Sequence, residues 1–107
     1  MTDNRLVLTT VESQQAARTL ANTLIERQLA ACVNIVGPIE SVYRWKGNIE
    51  QTGEFLLLIK TTVAQFERLQ NAILEEHAYD VPEVISLAIE DGNPAYLRWL
   101  EDSTSST

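Results

Sequence analysis

An α+β sandwich, with helices laid on one face of an antiparallel sheet, is predicted by three observations. Strand-like and helix-like hydrophobic periods alternate along the chain. The two central strands are separated only by Lys46-Gly47-Asn48 and are long for a chain of 107 residues. Five consecutive apolar residues, Phe55-Leu56-Leu57-Leu58-Ile59, run between Glu54 and Lys60 with no turn residue inside. A strand covered on one face alternates apolar with polar, so this run reads as buried on both faces. One layer of helices covers one face, and a second copy of the chain is the simplest cover for the other.

Each element has its own signal. Arg5 to Val11 is rich in β-branched residues and reads as a strand, with Leu6 and Leu8 on one side and Val7 and Thr9 on the other. Ser13 is placed to cap a helix. The segment from there to Leu29 carries Ala17, Leu20, Ala21, Leu24 and Ile25 on one stripe and Arg18, Asn22, Glu26 and Arg27 on the outer face. Cys32 to Trp45 is extended again, with a bulge or bend expected at Gly37-Pro38, since proline cannot donate in a ladder. Ile39, Ser41, Tyr43 and Trp45 share a face. Gly47 and Asn48 tolerate positive φ and mark the hairpin turn. The return strand runs from about Ile49 to Thr61 with a possible kink at Thr52-Gly53, and the hairpin tip projects beyond the body.

Thr62-Val63-Ala64-Gln65 has the pattern of a capping box. A second helix follows to about Glu76, with Phe66, Leu69 and Ile73 buried. Tyr79-Asp80-Val81-Pro82 breaks it. Val84 to Ile89 is a further strand. Asp91-Gly92 turns the chain, Asn93 caps, and Pro94 opens a short helix to Leu100, where its missing N–H is harmless. Ser103 to Thr107 has no apolar content and reads as a frayed tail, so a single domain is expected over residues 1–102. The order strand, helix, long hairpin, helix, strand, short helix is the ferredoxin-like βαββαβ plan, with both long helices on one face. Val7, Leu57 and similar positions are expected on the bare face, which argues for self-association.

Composition excludes several functions. The formal net charge is −7 and the basic residues are scattered, so nucleic-acid binding is not expected. No run approaches the roughly 18 apolar residues of a membrane span. The N-terminal residues lack a signal-peptide pattern. The single cysteine, Cys32, points to a reducing compartment. There is no phosphate-binding glycine loop, no Ser-His-Asp order and no copper-chaperone cysteine pair, so no enzyme activity is expected.

The chain resembles the CutA family, the divalent-cation tolerance proteins. The residues that carry this are Leu29-Ala30-Ala31-Cys32-Val33-Asn34-Ile35, then Ser41-Val42-Tyr43-Arg44-Trp45-Lys46-Gly47, Lys60-Thr61-Thr62, His77 with Tyr79 and Pro82-Glu83, and Tyr96-Leu97 with Trp99-Leu100. They occur in order over about residues 5–101. The resemblance implies a homotrimer of ferredoxin-like subunits, similar in architecture to the PII signalling proteins. It also implies a cytoplasmic role in tolerance of copper or other divalent cations. Some relatives proposed to bind copper carry extra cysteines in the first strand and second helix. Here those segments read Leu8-Thr9-Thr10 and Asn71-Ala72-Ile73.

Candidate site residues follow. His77, the only histidine, suits Cu(II) or another divalent cation, or a packed role at a helix end. Cys32 is a second soft ligand or a small core residue. Tyr43, Trp45 and Trp99 line a ligand cleft or pack an interface. Lys60 ends a strand and pairs with an anionic ligand or an acidic neighbour. Glu83, held rigid by Pro82, forms a polar cluster with His77 and Tyr79, or is a solvated loop acid. Two functions lead: a trimer that binds a cation or small ligand in subunit clefts, and a PII-like signalling or scaffold module that takes a metabolite or an unidentified protein partner; a weak hydrolase is the third.

Overall fold

The structure, a computed structural model, describes residues 2–105. Seven elements follow one another: β1 (Asn4–Val11), α1 (Gln14–Glu26), β2 (Cys32–Trp45), β3 (Asn48–Thr62), α2 (Val63–Glu76), β4 (Ile85–Ala88) and α3 (Pro94–Ser103). The strands form one antiparallel sheet in the order β2-β3-β1-β4. This is the expected ferredoxin-like α+β plan, with three helices.

The face under the helices is built from Val7, Thr9 and Val11 of β1 and Leu57, Ile59 and Thr61 of β3, all buried. Against them lie Ala17, Leu20 and Leu24 of α1 and Leu69, Ala72 and Ile73 of α2. The 3.6-residue period that sorted these side chains onto one stripe is why both helices cover the same face. Ser13 caps α1 as expected, its Oγ accepting from the Ala16 N–H at 3.0 Å. Ile25, expected on the buried stripe, is 41% exposed.

The register corrects which face is bare. Val7 pairs with Ile59 and Thr9 with Leu57, so Val7 and Leu57 lie beneath the helices and are fully buried. The uncovered face belongs to the alternate positions. Ile85, Leu8 and Leu58 form one cross-strand row, and Thr10, Leu56 and Val36 form another. Leu8, Leu56 and Leu58 are half-buried, while Val36 and Ile85 are 41% and 48% exposed. At the far end of this face α3 covers the sheet. Leu100 is fully buried, and the Asn4 amide donates to Glu101 at 3.2 Å.

The β2–β3 hairpin extends past the helical layer and gives the molecule a long axis of 44 Å. Its ladder breaks only between Val36 and Ile39, at the expected Gly37-Pro38 position. Gly37 is required there: a Cβ would stand 2.6 Å from the Phe55 ring. The possible kink at Thr52-Gly53 is absent, because Ser41–Thr52 and Glu40–Gly53 pair in register. At the tip the positive φ values fall on Lys46 and Gly47, not on Asn48, as a two-residue turn between right-twisted strands requires.

Two further expectations are corrected. The capping box does not form: Thr62 occupies the N-cap without a side-chain bond, and Gln65 donates from Nε2 to the Thr104 carbonyl at 2.7 Å. Thr104 is 2% exposed and α3 continues to Ser103, so these two residues belong to the packed structure rather than to a tail. Ser106 and Thr107 lie outside the described residues.

Candidate functional site

Where the hairpin leaves the body, a cleft of about 590 Å³ opens beside the uncovered sheet face. Its floor is Thr10 at the end of β1 and Glu54 at the start of the apolar run. One wall is Ser41, Tyr43 and Trp45 of β2. The other is the segment from Tyr79 to Glu83, which follows α2. The register explains the convergence. Ile39 pairs with Glu54 and Ser41 with Thr52, so alternate residues of both strands look onto this side.

Glu54 is the buried charge of the cleft, 6% exposed. One of its oxygens, Oε2, accepts from the Tyr79 hydroxyl at 2.8 Å. Burial raises the Tyr79 phenol well above its ordinary value. The bond to Glu54 and the nearby carboxylate charge add to the shift. Tyr43 and Thr52 share a hydroxyl hydrogen bond of 3.1 Å, which fixes the Tyr43 ring against the hairpin.

His77 stands behind this wall. The backbone N–H of Tyr79 donates to Nδ1 at 3.2 Å, so the ring proton sits on Nε2, which donates to the Thr10 carbonyl at 2.6 Å. Both nitrogens are therefore engaged, Nε2 tying the end of α2 to β1 and Nδ1 holding the segment that follows. The ring packs on Tyr79 with centroids 4.6 Å apart. His77 thus holds Tyr79 in position over Glu54.

The remaining candidates lie elsewhere. Cys32 pairs in register with Lys60, and Lys60 with Leu6. That row is four residues from Thr10, or about 13 Å along the strands. The structure therefore separates Cys32 from His77 within the chain. Among the described residues no three His, Cys, Asp or Glu side chains are grouped to hold a metal ion. The Lys60 ammonium donates to the Asn34 side chain, and the Cys32 thiol lies 3.9 Å from the same Asn34 oxygen. Tyr96 of α3 meets this end; burial and then the Cys32 thiol raise its phenol. Trp99 packs on Tyr96 at 5.4 Å and is remote from the cleft.

Tyr43, Trp45, Tyr79 and Glu83 are thus brought together, as the ligand-cleft reading requires. The acid bonded to Tyr79 is Glu54, however, and not the exposed Glu83 expected in that role. No local signal in the sequence singled it out, because only the strand register shows that it shares the uncovered face with Leu56 and Leu58.

The geometry defines a ferredoxin-like domain with a projecting hairpin, a half-covered sheet and a cleft at the junction. This chain belongs to the CutA1 divalent ion tolerance protein family, which it matches over residues 5–103. It is 48% identical over 99 residues to the divalent-cation tolerance protein CutA of Thermus thermophilus, covering 92% of this chain and 96% of that protein. A solved structure of the Thermus thermophilus divalent cation tolerance protein superposes with a TM-score of 0.93 at 46% identity, covering 95% of this chain and 99% of the other. The chloroplastic CutA of Arabidopsis thaliana is also 48% identical over 99 residues, covering 92% of this chain and 54% of that longer protein. No helix among the described residues is long and apolar enough to cross a membrane.

Proposed function

We propose that this chain works as a homotrimer in divalent-cation tolerance, binding a cation or small ligand in the cleft beside Glu54 and catalysing no reaction. The observation that carries this reading is the junction of two features. An apolar sheet face centred on Leu8, Leu56 and Leu58 lacks an intrachain cover, and a cleft with a desolvated carboxylate opens at its edge. Packing copies against that face sets the clefts at subunit boundaries. The family's divalent-ion name and the single cysteine are consistent with a role in metal tolerance in the cytoplasm.

A PII-like signalling role is favoured by one separate observation. The cleft volume falls within the roughly 300–1,000 Å³ typical of small-molecule sites. Its ligand would then be a metabolite rather than a metal.

Sedimentation equilibrium at micromolar concentration should give a trimer mass; a monomer mass would overturn the assembly. Calorimetric titration with Cu(II), Zn(II) and a nucleotide panel separates the two ligand readings. Repeating the Cu(II) titration on His77→Ala tests the histidine. Lost binding with an intact trimer would make His77 a ligand. Lost binding together with lost assembly would assign it the structural role that its two hydrogen bonds describe.

A further inference from the structure

The cleft carries more information about its ligand than its volume. This chain lines it with three carboxylates, from Glu54, Asp80 and Glu83, and among its described residues with no Lys, Arg or His. A phosphate or carboxylate ligand would be repelled by those three groups. Glu54 is nine-tenths buried and its Oε2 accepts from the Tyr79 hydroxyl. A largely buried carboxylate held by one neutral donor and open to the cleft favours a cation there.

The kind of cation is set by the other walls. A metal ion needs several oxygen, nitrogen or sulfur ligands converging at about 2–2.5 Å, and the described residues offer no such group of three. The cleft instead presents the rings of Tyr43, Trp45 and Tyr79. Aromatic faces attract soft, poorly hydrated cations through their quadrupole. Trp45 already draws the Lys46 ammonium to 5.8 Å from its ring centroid.

We propose that the cleft binds an organic ammonium ion, a quaternary or primary alkylammonium, seated among Tyr43, Trp45 and Tyr79 with Glu54 as its counter-charge. This rests on the reading of the cleft as the ligand site and replaces its metal or metabolite occupant with a defined class.

The test uses the full chain in a Trp99→Phe background, which leaves Trp45 as the single tryptophan reporter. Tetramethylammonium and spermidine should quench or shift its fluorescence saturably, whereas KCl at matched ionic strength and ATP should not. Glu54→Gln retains an acceptor for the Tyr79 hydroxyl and should weaken ammonium binding about tenfold or more. Glu83→Gln, at an exposed position, provides a second charge variant and should weaken binding less. Ammonium affinity unchanged in both variants would overturn the proposal. Glu54-dependent binding of Zn(II) or ATP without ammonium binding would overturn the ammonium class and leave the cleft as a ligand site. No response to any probe would overturn both.

Discussion

Leu57 and Leu58 are neighbours of the same type, and the structure assigns them opposite faces, so substituting each should break a different property. Leu57 is fully buried beneath α1 and α2. Leu57→Ala removes three carbons, about 2.4 kcal/mol of transfer free energy at about 0.8 per carbon, and the cavity brings the total to about 3–5 kcal/mol. Assembly mass should be kept as long as the chain folds. Leu58 is half-buried in the uncovered row with Leu8 and Ile85. On an isolated chain Leu58→Asp is nearly a surface change, within about 1 kcal/mol. Inside an assembled interface the same carboxylate is buried without a partner, at several kcal/mol. A penalty of about 5 kcal/mol lowers an association constant several-thousand-fold, enough to give monomers at micromolar concentration. Sedimentation equilibrium reads the mass, and urea denaturation with circular dichroism reads the stability. A Leu58→Asp protein that keeps the wild-type oligomeric mass would refute the assignment of this face to assembly. So would a Leu57→Ala protein as stable as wild type.

Three other outcomes can be measured with comparable methods. Tyr79 has its phenol raised by burial and then by Glu54, so the folded state favours the neutral form. Its stabilising contribution is complete below about pH 10, the ordinary tyrosine value, and is lost as pH rises toward the folded value. Tyr96 is shifted in the same direction. Ultraviolet difference titration of a Tyr43→Phe protein, whose only tyrosines are Tyr79 and Tyr96, should therefore show tyrosinate forming late, with unfolding above about pH 10; ionisation of both at or below that pH in the folded protein would contradict this. Tyr79→Phe leaves Glu54 without its donor and should cost about 1–3 kcal/mol at neutral pH. A chain ending at Asp102 loses the Thr104 carbonyl that Gln65 donates to and strands a buried amide. Denaturation should show a loss of about 1–3 kcal/mol, and an unchanged midpoint would mean that Ser103 and Thr104 are a tail after all.

What the sequence could disclose depended on how far each cause lay along the chain. Helix stripes, the Ser13 and Asn93 caps and the Gly37-Pro38 break are written within a few residues, and all were legible. The long hairpin and the αβ order followed from the same local signals. The parity of the sheet was not legible, because Phe55 to Ile59 is apolar at every position and offers no alternation to orient. Only pairing with β1 shows that Val7, Leu57 and Ile59 face the helices. Thr62 and Gln65 have the capping pattern, yet Gln65 is drawn off by Thr104, 39 residues away. A local rule yielded there to a tertiary partner, and polar composition concealed that partner in an apparent tail. The site followed the same logic. Tyr43, Trp45 and Tyr79 could be listed as aromatics, but the carboxylate that gives the cleft its sign is 25 residues from Tyr79. Cys32 and His77 look like a ligand pair in a chain with one of each, and strand register alone sets them apart. The residues that set the charge and shape of the cleft are those whose partners are remote in sequence, so a substitution at Glu54 probes the cleft more directly than one at the conspicuous histidine.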